Sequence, residues 1–379
     1  MSADNPLKKL RELGQSVWYD YIRRDLYATG ELERLIREDG LAGMTSNPTI
    51  FQKAIAETEL YDEDVRRAGA EGKEPFVIFD ELSIQDVTRA ADVFRPIFDR
   101  TNGGDGYVSI EVGPKLASDT EGSIKEAHRL WDACARPNVM VKIPGTAAGV
   151  PAIRRCLADG VNINITLLFS VSRYREVMEA YLSALEERVA AGRGIESLHS
   201  VASFFVSRVD TNVDKKLDKI AKEDGDGDRG KAARAVRGKA AIANARLAYQ
   251  AFREVFGSPR FASLARRGAR IQRPLWASTS TKDPSYPDLY YVEALIAPDT
   301  VDTMPPETFA AYREHGNPQV RIYEDLDGAR RVFPRLEELG IDEPRVSREL
   351  EEEGVKKFSD SYESLIKTLA EKEKAMRVA

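Results

Sequence analysis

The chain has 379 residues, 42% of them hydrophobic and 31% charged, which supplies a sizeable core and excludes disorder for most of its length. Lys plus Arg number 56 against 62 Asp plus Glu, a formal charge of −6, so no basic surplus marks a nucleic-acid surface. No apolar run approaches the roughly 18 residues that cross a bilayer, and residues 1–10 are too polar for a secretory signal, so a soluble protein without membrane contact is expected.

From the N-terminus almost to residue 300, short β-rich runs alternate with helical patterns, the signature of repeated βα units. Strands are predicted at 16–22, 41–47, 107–112, 139–143, 161–169, 200–206, 274–279 and 290–296. Between them, 31–39 carries Leu32, Leu35 and Ile36 on one helical face, and 175–189 repeats Val177, Met178, Tyr181, Leu185 and Val189 at helical spacing. Eight parallel strands with intervening helices close most naturally into an α/β structure of the (β/α)8 TIM-barrel kind. An open doubly wound sheet is the alternative, but no G-x-G-x-x-G turn follows the first strand.

The polar segment 222–230 imitates two motifs. Asp224, Asp226 and Asp228 begin like a calcium loop, but Arg229 stands where glycine is needed and Ala235 where glutamate is needed. The glycine and lysine spacing of a phosphate loop is also present, with Ala232 in place of its serine or threonine. A solvated surface loop is expected. After residue 316 the β signals fade, and Phe358, Tyr362, Leu365 and Leu369 form one apolar stripe on a C-terminal helix. The expected division is one catalytic barrel over 1–316 and a helical extension, 317–379, packed on it.

Cys134 and Cys156 are too few for a disulfide scaffold or a cysteine-pair zinc site, and His128, His199 and His315 form no cluster, so no metal is expected. Both cysteines fall in helical stretches, where small packed side chains are the expectation, and a reducing, cytoplasmic compartment fits this usage.

Chemistry is legible in strand parity, because alternate side chains share a face. In 161–167 the odd positions are apolar while Asn162, Asn164 and Thr166 share the other side. Helices cover the outside of a barrel, so the polar parity should face the lumen. The same rule groups Ser16, Trp18 and Asp20; Thr45 and Asn47; Ser109 and Glu111; Ser203 and Phe205; and Trp276, Ser278 and Ser280. Most of these polar groups lie toward the C-terminal strand ends, where barrel active sites gather. Lys142 is the one charge in the apolar run 139–143. An isolated ammonium there is costly, which leaves two explanations. Either Lys142 is a structural partner of Glu111, or it is a desolvated amine able to attack a carbonyl and form a Schiff base. Schiff-base chemistry needs a proton shuttle, for which Glu111 and Thr166 have suitable type and depth, and cleavage beside a hydroxyl needs a separate base, for which Asp20 is the other carboxylate. Asn47 and Asn164 are able to hydrogen-bond substrate hydroxyls. Arg208, with Ser278 and Lys282, is a candidate contact for an anionic tail; the bland alternatives are pairing of Arg208 with Asp210 and of Lys282 with Asp283.

At these residues the sequence resembles the transaldolases, specifically the longer bacterial subfamily with a C-terminal helical extension. The carriers are GQSVWYD at 14–20, TSNPTIF at 45–51, VSIEV at 108–112, VKIPGT at 141–146, NINITLLFS at 162–170 and ASFFVSRVD at 202–210. Six motifs in order are far more specific than one. The resemblance implies a class I mechanism of the non-oxidative pentose phosphate pathway that needs no cofactor. In it, Lys142 attacks the ketone of sedoheptulose 7-phosphate, Asp20 takes the hydroxyl proton, and erythrose 4-phosphate leaves. The retained dihydroxyacetone unit adds to glyceraldehyde 3-phosphate, giving fructose 6-phosphate. Glu111 and Thr166 match the family's acid–base pair, Asn47 and Asn164 its hydroxyl-binding asparagines, Arg208 its phosphate arginine, and Ser203 and Phe205 pocket positions. There is one departure: Ser280 stands where shorter members carry a second phosphate arginine, and Lys282 is the nearby cation. Phe205, where related fructose-6-phosphate aldolases tend to have tyrosine, favours transfer over simple cleavage. The rivals are a lyase releasing free dihydroxyacetone and a non-catalytic sugar-phosphate-binding barrel.

Overall fold

In the computed structural model, which describes residues 5–378, eight parallel strands close on themselves in sequence order. They are β1 (Gln15–Asp20), β2 (Gly43–Thr45), β3 (Tyr107–Glu111), β4 (Val139–Pro144), β5 (Ile163–Leu168), β6 (Ser200–Phe205), β7 (Arg273–Ala277) and β8 (Thr300–Met304). Helices fill every crossover, so the expected (β/α)8 barrel is present. The helix predicted at 175–189 is the centre of Val171–Ala190. The stretch 31–39 is broken into a short turn, Glu31–Arg34, and a wider π-helical turn, Leu35–Asp39.

Two apolar layers organise the molecule. The larger lies between strands and helices and includes Val17, Val141, Ile143 and Ile165. The smaller fills the lumen with Trp18, Ala42, Tyr107, Met140, Val201, Leu275, Ala277 and Val301. Trp18 Nε1 donates to Asp105 at 2.8 Å, and Arg273 and Ser16 join that carboxylate at the barrel bottom. The lumen is therefore plugged with apolar side chains, and its polar residues stand above that plug.

Two expectations fail. The eighth strand is not 290–296: that run contains the helix Tyr290–Ala294, and the strand follows at Thr300–Met304. Its aromatic and β-branched residues imitate a strand, but the Tyr290 and Tyr291 hydroxyls donate to Gly238 O and Asp210, holding the segment over neighbouring helices. The 222–230 loop is also shorter than expected. Helix Ser207–Asp224 and helix Asp228–Val236 flank it, and only 225–227 turn, with Asp224 Oδ2 accepting from Gly230 N at 2.7 Å. Cys134 and Cys156 are buried in helices, and burial pushes their thiols up to about 11 and about 12. Among the described residues no helix is long and apolar enough to cross a membrane.

Asp302 hid β8 from sequence patterning. It pairs in register with Val17 and Trp276 and so faces outward beneath the helices, fully buried. Oδ1 accepts from Thr279 at 3.0 Å, Oδ2 has no hydrogen-bond partner among the described residues, and burial pushes the carboxyl up to about 7. Because the folded state holds this proton more tightly than the unfolded chain, the group loses stability as pH rises from the ordinary carboxylate range through 7. Asp302→Asn should match the parent's melting temperature near pH 4 and exceed it at pH 8. The expected gain is on the order of 2 kcal/mol, or about 2 °C in a chain this long, read by thermal melts at both pH values.

Candidate active site

Lys142 is buried in β4 at the level where Glu111 on β3 and Asn164 on β5 are its direct register partners. Three inward side chains thus form one row above the apolar plug. The amine donates to Glu111 Oε2 at 3.2 Å and to Ser46 O at 3.1 Å, and it also lines a cavity of about 380 Å³. It has a carboxylate partner and an open approach at once, a geometry compatible with either explanation for a buried lysine. Burial raises the Glu111 carboxyl above the ordinary range, and the Lys142 charge opposes that rise.

Asp20, Thr45, Thr166, Ser203, Phe205, Arg208, Ser278 and Lys282 line the same cavity. Asp20 Oδ1 accepts from Thr45 Oγ1 at 2.7 Å, and that hydroxyl also meets Thr303 Oγ1 at 2.7 Å. Burial raises the Asp20 carboxyl too, opposed first by Lys142. Thr166, at the upper end of β5, makes no side-chain hydrogen bond among the described residues, so its hydroxyl is available to the cavity. Immediately after it, Leu167 takes φ 59°, and the β5–β6 register shifts between Ile165 and Leu168. This bulge re-aims the strand end at the cavity rim.

Arg208 does not pair with Asp210. Asp210 is buried, accepting from Ala241 N at 2.7 Å and Tyr291 Oη at 3.0 Å, whereas the guanidinium lies 5.0 Å from the Phe205 ring centre. Lys282 does not pair with Asp283 either: Asp283 takes Arg237 at 2.5 Å, and Lys282 donates to Ser280 Oγ at 2.6 Å. Both anion-site candidates therefore face the cavity without a carboxylate ion-pair partner among the described residues.

The parity expected for 274–280 is corrected. Leu275 and Ala277 enter the lumen, while Trp276 points outward and donates to Leu295 O at 3.0 Å. Ser278 still reaches the cavity because its φ of 56° re-phases the chain. Asn47 and Asn164 have work of their own. Asn47 caps helix Pro48–Ala56, accepting from Ile50 N at 3.1 Å, and with Glu111 lines a second cavity of about 360 Å³ beside the first. Asn164 is fully buried, donating to Ser109 Oγ at 3.0 Å and accepting from Ser203 Oγ at 2.7 Å. Sequence reading missed Thr211, Thr303, Glu307 and Lys357, which also line the main cavity. Thr303 was hidden with β8, and nothing local connects Lys357 to Lys142, which lies more than two hundred residues earlier.

A buried lysine beside a carboxyl, with a second carboxylate lining the same cavity at the C-terminal end of a (β/α)8 barrel, is an arrangement compatible with an enzyme of carbonyl chemistry. Comparison with known proteins agrees. A model of the Transaldolase/Fructose-6-phosphate aldolase family matches residues 17–369, and the chain belongs to that family. It is similar to the protein named Transaldolase of Thermobifida fusca, 48% identical over 97% of this chain and 98% of that one. A Transaldolase of Frankia alni is 47% identical over 97% of each chain, and Transaldolase 2 of a Nostoc species is 44% identical over 99% of each. The chain is an enzyme of the transaldolase type, a transferase of aldehyde or ketone residues, which implies sugar-phosphate substrates as a class.

The two asparagines yield a stability test. Asn164→Ala strands two buried hydroxyls and should cost about 2–3 kcal/mol, whereas Asn47→Ala removes one helix cap and should cost about 1 kcal/mol. Urea denaturation of both variants checks the order.

Proposed function

We propose that the enzyme transfers a dihydroxyacetone unit from sedoheptulose 7-phosphate to glyceraldehyde 3-phosphate, in the cytoplasm, as a step of the non-oxidative pentose phosphate pathway. The observation that carries this reading is the Lys142 amine, 3.2 Å from Glu111 and open to a cavity that also holds Asp20. On this reading residues 1–316 form the catalytic body, with 317–379 an extension packed on it.

Lys142 Nζ adds to the ketone carbon, and the carbinolamine loses water to give the protonated imine. Glu111, raised toward the neutral form by burial, gives and retakes the protons of that dehydration, with the Thr166 hydroxyl holding the intervening water. Asp20 removes the hydroxyl proton next to the scissile bond. The C–C bond breaks, its electron pair enters the imine, and erythrose 4-phosphate departs. The enamine then attacks the aldehyde of glyceraldehyde 3-phosphate, Asp20 returns the proton, and hydrolysis of the new imine frees fructose 6-phosphate. Thr45 orients Asp20 through their hydrogen bond. Asn47 offers a donor to a substrate hydroxyl, while Ser203, whose O–H is given to Asn164, offers an acceptor. Phe205 supports the Arg208 plane that, with Ser278 and Lys282, takes the phosphate. Helix Ser207–Asp224 begins at this end without a side-chain cap, which leaves backbone N–H groups for the same anion.

Lys142→Arg should abolish turnover, and Glu111→Gln should lower kcat by about 10²–10⁴ with the fold retained. A coupled assay with sedoheptulose 7-phosphate should give product only when glyceraldehyde 3-phosphate is present. Steady release of free dihydroxyacetone without an acceptor would make the enzyme a lyase. Because Asp20 must be ionised and burial raises its pKa, kcat should fall on acidification from a midpoint above the usual carboxylate value of about 4. A pH–rate profile with no acidic limb above that value contradicts this role.

A further inference from the structure

The C-terminal helix, Glu343–Val378, packs on helix Ser207–Asp224, on the end of β5 and on helix Pro48–Ala56, and so crosses the upper end of the barrel. It is tied along its length: Glu349 pairs with Lys216, Ser361 Oγ accepts from Thr49 at 2.7 Å, and Lys372 donates to Ile55 O at 2.8 Å and Thr58 O at 2.6 Å. Its own Leu365 and Leu369 are fully buried. Between these ties, Gly354 brings the helix close over the end of β5. A Cβ there would stand 3.0 Å from Leu167 Cδ2 and 3.6 Å from the Phe169 ring. One turn along the same face, Lys357 reaches the catalytic cavity, the one side chain of this helix to line it among the described residues.

Its neighbour on the helix, Lys356, is pinned to Asp360 at 2.8 Å. Lys357 has no ion pair or hydrogen bond among the described residues, although Glu353 lies one turn away and acts electrostatically on Arg208. Arg208 and Lys282 also make no ion pair among the described residues. Three long cations thus converge on one cavity outside any ion pair among the described residues, although Asp20, Glu353 and Glu111 act on Arg208 from a distance, and they are supplied by the chain after β6, the chain after β7 and the C-terminal helix. The carboxylates that share the cavity are Asp20, held by Thr45, and Glu307. A dianionic phosphate needs more positive charge than Arg208 alone supplies, and Ser280 adds none.

We propose that Lys357 is a substrate-binding residue that closes the phosphate end of the site from above, so that the C-terminal helix sets the enzyme's preference for phosphorylated ketoses. This inference rests on the phosphate end assigned to Arg208 under the proposed function. The helix is then part of the binding site as well as a brace for the barrel, and the phosphate is gripped between a strand-end arginine and a lysine from the far end of the chain.

The test compares kcat and KM for fructose 6-phosphate and unphosphorylated fructose as donors, with inorganic phosphate as a competitive inhibitor. Lys357→Ala should raise KM for fructose 6-phosphate about tenfold or more, weaken phosphate inhibition in parallel, and leave fructose within about twofold. Lys357→Arg should restore most of the loss, and Lys356→Ala should behave as the parent. Melting temperature should not move in Lys357→Ala, since the amine has no protein partner to lose. Unchanged KM and unchanged phosphate inhibition, or an equal loss with both donors, overturns the proposal. Arg208→Ala separates the two levels. If it erases phosphate discrimination while Lys357→Ala does not, Lys357 alone is wrongly assigned; if neither variant affects discrimination, the phosphate end itself is wrongly placed.

Discussion

The structure depends on keeping an amine inside a protein and still open to a cavity. Lys142 sits on a central strand of a closed sheet, where an unpaired ammonium would cost several kcal/mol. The barrel meets that cost with one carboxylate, Glu111, on the adjacent strand at the same register level. Parallel pairing makes the arrangement reproducible: once β3 and β4 are in register, the two side chains cannot avoid each other. The apolar plug below, centred on Trp18, Met140 and Leu275, closes the lumen at the bottom and leaves the upper end as the approach to the pair.

From this pair the rest of the site follows in layers. At the level of Lys142, Asn164 on β5 links Ser109 on β3 to Ser203 on β6, reaching across β4 between them. Around it, Asp20, Thr45 and Thr303 form a hydrogen-bonded chain across β1, β2 and β8. At the rim, two residues in left-handed backbone conformation, Leu167 and Ser278, bend the ends of β5 and β7. Such conformations are uncommon for side chains other than glycine, and their place beside the cavity matches the tendency of strained backbone to gather at functional sites.

Much of this was legible in the amino-acid sequence because the lumen and the helical shell impose opposite polarity on alternate residues. Asn164 and Thr166 against Ile163 and Ile165, or Lys142 against Val141 and Ile143, reveal the inward face without any coordinates. The reading failed where a local rule was broken by something remote. Asp302 interrupts an outward face with a buried carboxylate, so β8 was passed over for the more strand-like 290–296. Ser278 changes phase through its backbone, which no alternation rule detects. The two asparagines were read for hydrogen-bonding capacity, but a cap and a buried network claim much of that capacity first. The contact of Lys357 with the cavity is set by the packing of a 36-residue helix, not by its own neighbours in sequence.

The most direct measurement is chemical trapping. Incubation with fructose 6-phosphate and borohydride, followed by peptide mass mapping, should place a reduced three-carbon adduct on Lys142 and on no other lysine. Failure to trap any adduct during active turnover, or an adduct on a different lysine, would contradict the claim that this buried amine carries the reaction.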